Sequence, residues 1–574
     1  MGPRIQEHWR PKSYPTQICD SRAPAGRNMS LSTMQTSVED FPAGPLPKAI
    51  RAVRDSSAAV SHVRTLVICL DGTGDKFDGD NSNVVNFVAC LKKDDPSQVT
   101  YYQSGIGTYD GHGLKGGISA AVDMAVGSGL GIHIKDAYMF IMQNYREGDK
   151  ICLLGFSRGS YTVRCLAGML HKVGLLPKHN RAQVNFAYNF YKDDSKTGWD
   201  MSAQFKKTFC IDVNVHFVGV WDCVSSVGFF PRKLPFGKSP TNSIVYFRHA
   251  MALDEHRAKF KICQYQHQDP AAAQKCEAGI SQGEKLREKK DEDSGKLKRL
   301  FGGCFGVKPT PGVDENGSDT DSITSNQEQE KRAADFERAD RSVHEHFQTD
   351  VLEVWFAGCH ADVGGGAVAN GERHMLSRIP LRWMIRQCFE CDTGILFGTA
   401  ALAETGIDVP TVWPIYKQPV KPVVGPSPGT VEQYEAGGLP PLRRRSTALG
   451  VDDGGKEAEQ TEQDRHRKAS IQPLSAFDLL PEHVEDHFDA MAPINDQLEQ
   501  AKGWWALEFW PVKVRVQDKE TEEWKKVVRM NMGRFRAVRE LEPTLHWSVE
   551  KRMGESQYKI RNVVDKNASW KVAV

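Results

Sequence analysis

Three features that would point to other classes of protein are missing from this 574-residue sequence. Its 13 cysteines include no pair of C-x-x-C motifs, which argues against a zinc or redox site. The formal net charge is +1, so no overall positive charge favours nucleic acid as a partner. No stretch reaches the roughly twenty apolar residues of a membrane-spanning helix, and the nearest, 118–134, is interrupted by Asp123 and by glycines.

The N-terminal segment, residues 1–63, is rich in arginine, proline and serine and has no apolar core of a secretory signal. We expect this segment to be disordered. Cys69, Cys152 and Cys165 lie inside apolar runs, where a reduced thiol packs as a small hydrophobe. A reducing compartment, the cytoplasm, is the simplest interpretation, and peripheral contact with a membrane stays open.

Short apolar runs are typical of parallel strands covered by helices on both faces. Such runs are Leu66–Leu70, Val99–Gln103, Ile151–Leu154, Val215–Trp221 and Leu352–Ala357. Residues 134–145 and 161–173 have apolar residues at helical spacing, and Gly174 follows the second stretch as a C-terminal cap. Strands alternating with helices predict an α/β fold with a doubly wound, mostly parallel sheet.

Two polar stretches interrupt this pattern. Residues from about 266 to 340 are charged and rich in serine, glycine and asparagine, and residues 417–475 are proline-rich and then charged. Such compositions cannot bury enough apolar surface to offset the entropy lost on ordering. We therefore expect a main domain over 64–400 with a disordered insertion, a largely disordered linker over 401–476, and a Trp-rich extension over 477–574 that packs on the domain.

The motif Gly155-Phe156-Ser157-Arg158-Gly159 has the form G-x-S-x-G, with an apolar strand before it and an amphipathic helix after it. In that setting it is typical of the nucleophile elbow of the α/β-hydrolase fold, rather than of an ordinary Gly-Ser turn. The elbow holds the serine at a helix N-terminus, where the dipole and N–H groups favour developing negative charge. Ser157 is therefore the predicted nucleophile.

A nucleophilic serine needs a base, and the base needs an acid that orients it. In α/β-hydrolases the chain order is serine, then aspartate or glutamate, then histidine. Asp222 directly follows one predicted strand and His360 closely follows another. Because the carboxyl ends of parallel strands meet at one edge of the sheet, the sequence predicts a triad of Ser157, Asp222 and His360.

Other residues of the same types remain as alternatives. Asp222 could be a helix cap or the start of an Asx turn, and Asp362 could replace it or fix the glycine-rich turn after His360. The competing histidines are His249, His256 and His546. The first two lie in 247–256, which we interpret as a helix packing on the sheet.

Acyl transfer also requires hydrogen-bond donors for the oxyanion. The N–H of Arg158, directly after the nucleophile, is one candidate. The loop after the first strand, Asp71-Gly72-Thr73-Gly74, is the other, and Gly72 and Thr73 are its predicted contributors. A plain strand-to-helix turn is the alternative for this loop.

No cofactor or metal is predicted. Residues 127–131 (GSGLG) follow no strand and lack the P-loop lysine, so a flexible loop is favoured over phosphate binding. Asp71, Asp222, His360 and Asp362 could together hold a divalent cation, but His360 has no second histidine at two- or four-residue spacing.

Peripheral membrane contact has one candidate in the sequence. Residues 296–305 mix basic and apolar side chains, which suits contact with an anionic membrane. A solvated linker is the favoured interpretation of this stretch.

The sequence resembles the α/β-hydrolase family typified by the catalytic domain of type VI secretion phospholipase effectors, which is common in fungi. The resemblance runs from about Leu66 to Trp383, apart from the insertion. It is carried by Leu70–Thr73, Tyr101–Thr108, Gly155–Arg164, Val220–Asp222, Arg248–Glu255 and His360–Gly366. Segments 504–508 and 545–549 are similar to the closing segments of fungal members.

The resemblance implies Ser157 as nucleophile, Asp222 as acid, His360 as base and a lipid or phospholipid acyl ester as substrate. The chain departs from bacterial relatives through its charged insertion and its lack of a membrane-insertion module. A non-catalytic protein that keeps the hydrolase fold to bind partners, as yet unknown, is the competing interpretation. Three catalytic residue types at three strand ends favour the enzyme.

Overall fold

The computed structural model describes residues 45–56, 63–105, 118–224, 234–235, 243–265, 349–451, 473–518, 521–522 and 524–574, without the side chains of 118–128. The strands of these residues are β1 (Ala49–Arg51), β2 (Thr65–Leu70), β3 (Gln98–Gln103), β4 (Lys150–Phe156), β5 (Val215–Trp221), β6 (Ile244–Ala252), β7 (Asp350–Phe356), β8 (Leu396–Gly398), β9 (Pro511–Gln517), β10 (Trp524–Met530), β11 (Ala537–Val538), β12 (Thr544–His546), β13 (Val563–Val564) and β14 (Lys571–Ala573).

The α-helices of the described residues lie mostly between these strands. They are α1 (Asn83–Cys90), α2 (Ile118–Asn144), α3 (Ser157–Val173), α4 (Val184–Lys192), α5 (Lys196–Phe209), α6 (His360–Gly364), α7 (Arg378–Glu390), α8 (Thr399–Glu404), α9 (Pro428–Glu435), α10 (Arg444–Ala448), α11 (Glu482–Met491), α12 (Gln497–Gln500), α13 (Trp505–Glu508) and α14 (Trp547–Glu555).

Eight strands form one central sheet in the order β14-β12-β7-β6-β5-β4-β2-β3. Every neighbouring pair in it is parallel. The chain runs outward from β2 to the edge strand β3 and then returns to β4 on the other side of β2. This reversal leaves a crevice beyond the carboxyl ends of β2 and β4, the place where open α/β sheets bind ligands.

Helices cover both faces of the sheet, as the predicted doubly wound fold requires. One core cluster joins the sheet to α2, α3, α4 and α5, and a second joins its other face to α1, α7 and α8. All six residues of β2 are buried. Burial on both faces explains why these strands read as continuous apolar runs, and the predicted α/β fold class is confirmed.

Strand β6 corrects one prediction. The stretch 247–256, interpreted as a helix, contains most of a strand between β5 and β7. Its polar residues are matched across the sheet, because Arg248 binds Asp350 at 3.0 Å and His249 binds Glu353 at 2.8 Å. These partners are about a hundred residues away and leave no trace in the local pattern.

The glycine-rich stretch 127–131 is also not a loop, since it lies within helix α2. A Cβ at Gly131 would come within 2.8 Å of the hydroxyl oxygen of Tyr188 on α4. The small residue therefore serves helix packing at this position.

Residues 401–451, predicted to be largely disordered, contain α9 and α10. Apolar residues such as Ile407 and Val409 enter the core, and polar anchors hold the rest of the stretch. The buried Arg445 side chain donates to the Ala403 carbonyl at 3.0 Å and to Asp408 at 3.1 Å. Residues 45–56 of the predicted disordered N-terminal segment are ordered as well, since β1 pairs with β8.

Several predictions fall outside the described residues. These are the disordered insertion at 266–340, the basic and apolar stretch 296–305, and most of segment 1–63. Within the part of the chain that is described, no helix is long and apolar enough to cross a membrane.

Helix α7 is tied to α11 by buried ion pairs. Arg382 donates to Asp486 at 2.5 Å and also to Asp489, and both Arg382 and Asp489 are 1% exposed. Arg386 on the next turn donates to Glu482 at 2.5 Å. Opposite charges at such depth stabilise only as long as both partners are present.

Replacing Arg382 by alanine is expected to lower the free energy of unfolding by about 3–5 kcal/mol, because it leaves two buried carboxylates without their cation. Arg54→Ala is the matched control, since the Arg54–Asp392 pair is 59% and 43% exposed and should cost about 1 kcal/mol or less. Urea unfolding of both variants measures the difference. Equal losses would show that the buried cluster has no special role in stability.

Candidate active site

Ser157 stands at the turn from β4 into α3. Its φ is +56°, a conformation that non-glycine residues adopt only when the surroundings enforce it. A Cβ at Gly159 would overlap the carbonyl oxygen of Leu70, and one at Gly155 would come within 2.8 Å of the Gly159 carbonyl. The turn is thus packed so closely against β2 that both flanking positions must be glycine, which explains the G-x-S-x-G pattern.

Three predicted residues meet at the carboxyl ends of β4, β5 and β7. The Nε2 atom of His360 lies 2.8 Å from Ser157 Oγ, and its Nδ1 atom donates to Asp222 Oδ2 at 2.5 Å. All three side chains are buried, and Ser157 and His360 each retain 6% exposure. The arrangement can pass a proton from the serine hydroxyl to an imidazole whose tautomer is fixed by a carboxylate.

The competing histidines have other partners. His249 accepts a hydrogen bond from the Cys223 N–H and binds Glu353. His256 binds Asp496 at 2.8 Å. His546 pairs with Ser548 Oγ at 2.8 Å.

The alternative acid, Asp362, also has other partners. Its carboxylate accepts hydrogen bonds from the N–H of Cys359 at 2.9 Å and from Asn495 at 2.7 Å. Asp362 therefore fixes the turn that carries His360, as its position in the sequence suggests.

Arg536, which sequence reasoning missed, binds both oxygens of Asp222. Its Nη1 donates to Oδ1 at 2.6 Å and its Nη2 to Oδ2 at 2.8 Å. The same guanidinium donates to the carbonyls of Ala252 and Phe260. The two residues are 314 positions apart, so no local pattern could have linked them.

The charges of the site are set by burial and by these contacts. Burial alone would raise the pKa of Asp222, but the Arg536 guanidinium and the hydrogen bond from His360 hold that pKa far below its usual range. Burial lowers the pKa of His360, and Asp222 opposes this shift only in part. At neutral pH the pair is therefore a carboxylate and an uncharged imidazole, the forms that a general base requires.

A second buried carboxylate supports the backbone of His360. Burial would raise the pKa of Glu255, but the neighbouring Arg257 lowers it below its usual range. Glu255 Oε2 accepts a hydrogen bond from Arg257 at 2.7 Å and another from the His360 N–H at 3.3 Å. The imidazole is thus held by its ring and by its main chain.

The loop after β2 brings its two predicted donors beside Ser157 in different ways. The Gly72 N–H donates to Asp71 Oδ1 at 2.9 Å, so it is already used within the loop. A Cβ at Gly72 would overlap Asp75 Oδ2 and come within 3.2 Å of Ser157 Cβ, so this glycine lets the loop pack closely beside the serine. The Thr73 hydroxyl is buried and has no hydrogen-bond partner in the described part of the chain.

The remaining predicted donor, Arg158, follows Ser157 in the first turn of α3. The N–H groups of a first helical turn have no acceptor within the helix. The helix dipole adds positive potential at this end. Arg158 thus adjoins the serine along the chain, and Thr73 follows Gly72 in the loop that approaches Ser157.

Aromatic rings enclose the imidazole. Phe156 lies against the His360 ring with 4.7 Å between centroids, and Phe260 meets it edge-on at 4.8 Å. Trp504 packs on Phe260 at 5.5 Å. These rings exclude water and lower the local dielectric constant, which strengthens the hydrogen bonds to His360.

No group of three or more histidine, cysteine, aspartate or glutamate side chains is arranged to hold a metal ion among the described residues. Of the four residues considered as ligands, Asp71 binds Ser82 at 2.8 Å and Tyr102 at 2.9 Å. The others have the partners given above.

Comparisons with known proteins bear on the family of the chain. The family model for the T6SS phospholipase effector Tle1-like catalytic domain matches residues 64–387, more than half of the chain. An uncharacterized protein of Saccharomyces cerevisiae, YEL023C, is 26% identical over 579 aligned positions, which cover 87% of this chain and 80% of the yeast protein.

Two solved structures are similar to parts of the chain. An uncharacterized protein from Pseudomonas aeruginosa matches with a TM-score of 0.31 and 16% identity, over 76% of this chain and 63% of that one. The Tle1 effector bound to the VgrG spike of the type 6 secretion system matches with a TM-score of 0.20 and 18% identity, over 37% and 49%. The chain thus spans less than two thirds of either structure, and TM-scores this low do not establish a shared fold.

Replacing Arg536 by glutamine is expected to raise the pKa of His360. The variant removes a cation that both neutralises Asp222 and repels the imidazolium, so the protonated imidazole becomes more stable. NMR titration of the His360 ring measures this, and Arg536→Lys should stay closer to the parent because it keeps the charge. An unchanged or lower pKa in Arg536→Gln, with the fold intact, would show that Arg536 does not set the charge of the site.

Proposed function

Because the chain belongs to the family of T6SS phospholipase effector Tle1-like catalytic domains, we propose that it is a serine hydrolase that cleaves lipid acyl esters. The observation that carries the proposal is the continuous hydrogen-bond relay from Ser157 through His360 to Asp222. Family membership supports a phospholipase-like hydrolase, and the relay supplies the nucleophile, base and acid that such a hydrolase needs.

In the first half of the reaction, Ser157 Oγ attacks the ester carbonyl carbon while its proton moves to His360 Nε2. Asp222 holds the His360 Nδ1 proton and stabilises the imidazolium that forms. Collapse of the tetrahedral intermediate breaks the bond to the alcohol, and His360 returns the proton to the leaving oxygen. The acyl group is then bound to Ser157 as an ester.

In the second half, water enters in place of the alcohol. His360 takes a proton from the water as it attacks the acyl carbon, and the proton passes to Ser157 Oγ when the acyl bond breaks. The products are a carboxylic acid and the free enzyme, so no cofactor takes part in either half.

The oxyanion of both intermediates is stabilised from two sides in this proposal. The Arg158 N–H lies at the N-terminus of α3, where negative charge is favoured. Thr73 is the donor from the loop after β2, since its buried hydroxyl lacks a partner in the described part of the chain. Gly72 contributes by letting the loop that carries Thr73 approach Ser157, since a Cβ there would come within 3.2 Å of Ser157 Cβ.

The domain organisation follows from the same proposal. We assign the catalytic domain to residues 64–400, and residues 477–574 complete it because they contain Arg536. The aromatic rings of Phe156, Phe260 and Trp504 around His360 suit an acyl chain better than a charged substrate.

Labelling of the purified protein with a fluorophosphonate probe is expected to be lost in Ser157→Ala and strongly reduced in His360→Ala. Ser548→Ala is the matched control, because Ser548 also pairs with a histidine, His546, but lies outside the elbow and should label like the parent. If Ser157→Ala labels as strongly as the parent, Ser157 is not the nucleophile. A folded parent that never reacts, even with lipid micelles present, would favour the non-catalytic interpretation.

Replacing Thr73 by valine is expected to lower kcat by about 10²–10³-fold, the loss usual for one oxyanion donor, with little change in KM. Valine keeps the shape of threonine and removes only the hydroxyl, and Thr73→Ser should retain most of the activity. Steady-state hydrolysis of a short-chain ester measures both variants. If the Thr73→Val and Thr73→Ser variants are equally active, the Thr73 hydroxyl is not a donor to the oxyanion.

A further inference from the structure

An apolar surface, which we call the interfacial patch, lies where α13 leads into the hairpin of β9 and β10. Its residues are Trp505, Phe509, Trp510, Val528, Met530 and Met532, which are 37–64% exposed. Met530 stands opposite Pro511, the residue after Trp510, in the ladder of the hairpin. The patch thus groups exposed apolar residues from α13, from the residues just before β9, and from β10 with the turn after it, whereas single exposed apolar residues are common on any protein.

The charges of the two segments that carry the patch are of one sign, although the exposed Glu499 of α12 lies beside Trp505 and Lys502. Residues 502–517 and 524–535 contain seven lysines and arginines and one acidic residue. That residue, Glu508, is 1% exposed and accepts hydrogen bonds from the N–H groups of Ala258 and Gly533. Every exposed charge in these two segments is consequently positive.

Acidic residues of the hairpin are confined to the turn between its strands. Of those described, Asp518 pairs with Lys525 at 2.8 Å and Glu522 with Lys566 at 3.3 Å. The base of the hairpin, where the patch lies, is thus separated from these acids by most of the length of β9 and β10.

The patch is connected to the candidate active site by two short routes. Trp505 directly follows Trp504, which packs on Phe260, and Phe260 packs on the His360 ring. On the other side, Met532 lies four residues before Arg536, the partner of Asp222. A surface held on the patch is therefore held close to Ser157.

We propose that the interfacial patch docks the protein on a lipid bilayer that contains anionic lipids and so brings the active site to its substrate. Tryptophan is favoured at the level of the headgroups, and lysine chains can cover apolar surface while their ammonium groups reach phosphates. A protein interface would also be enriched in tryptophan, phenylalanine and methionine, but it would be depleted in lysine, so the lysines favour the bilayer. The inference rests on the proposed lipid ester hydrolase function.

Sedimentation of the full chain with vesicles tests the proposal, in a Ser157→Ala background so that no lipid is consumed. Phosphatidylcholine vesicles that contain about 30% phosphatidylserine are compared with vesicles of pure phosphatidylcholine. We expect binding to the anionic vesicles that weakens as salt is added, because screening acts on exposed charges.

Two double variants separate the apolar and the electrostatic contributions. Trp510→Ser with Val528→Ser removes patch surface, and Lys502→Glu with Lys513→Glu reverses two of its charges; each should weaken binding about tenfold or more. The control is Val423→Ser with Val424→Ser, which changes valines that are more exposed than Trp510 and Val528 but lie outside the patch. Patch variants that bind like the parent, or a parent that binds neither vesicle, would overturn the proposal.

Light scattering measures the oligomeric state and so tests whether a second copy of this chain, rather than a bilayer, binds the patch. A parent dimer that becomes monomeric in the patch variants would overturn the bilayer proposal in favour of self-association.

With Ser157 restored, the Trp510/Val528 variant should keep the parent rate on a water-soluble short-chain ester and lose vesicle hydrolysis. If no ester is cleaved by the parent while vesicle binding depends on the patch, the proposed function fails and the docking surface stands.

Discussion

The carboxylate of Asp222 is a buried negative charge, and much of the site is arranged to compensate it. A carboxylate out of contact with water costs several kcal/mol unless cations and N–H groups surround it. Here the Ala252 N–H, the His360 ring and the Arg536 guanidinium supply that compensation. These groups come from the end of β6, the turn after β7 and the segment after β10, so one charge fixes the relative position of three parts of the chain.

Arg536 extends the same constraint outward. Its hydrogen bonds to Phe260 hold the loop whose aromatic ring covers the imidazole, and Glu255 in that loop accepts from the His360 main chain. The charge balance of the site and the shape of its wall therefore depend on common residues. A change in one alters the other, which is why the guanidinium is better regarded as a positioning group than as a stabilising ion pair alone.

Local patterns predicted most of the sheet, because strands such as β2 and β5 are apolar on both faces and carry their signal in their own residues. The turn at Ser157 was also predictable, since close packing leaves only glycine at 155 and 159. Strand β6 was misread because the charges of Arg248 and His249 are neutralised by Asp350 and Glu353 on the neighbouring strand. Arg536 had no local signal. Residues 401–451 are ordered because a few apolar residues such as Leu402 and Ile407 enter the core and polar anchors such as Arg445 hold the rest, which the average composition does not reveal.

The position of Arg536 in the chain has a consequence during biosynthesis. Asp222 leaves the ribosome 314 residues ahead of the arginine that neutralises it, which at about 5–20 residues per second is about 15 s or more. Over that interval β12 and β14, the last two strands at one end of the sheet, are also unmade, so the nascent sheet ends at β7 or earlier and holds an uncompensated anion near its centre. The hydrogen-bonded arrangement around Asp222 is therefore completed only late in translation, so under the proposed function a growing chain lacks the site that lipid ester hydrolysis requires.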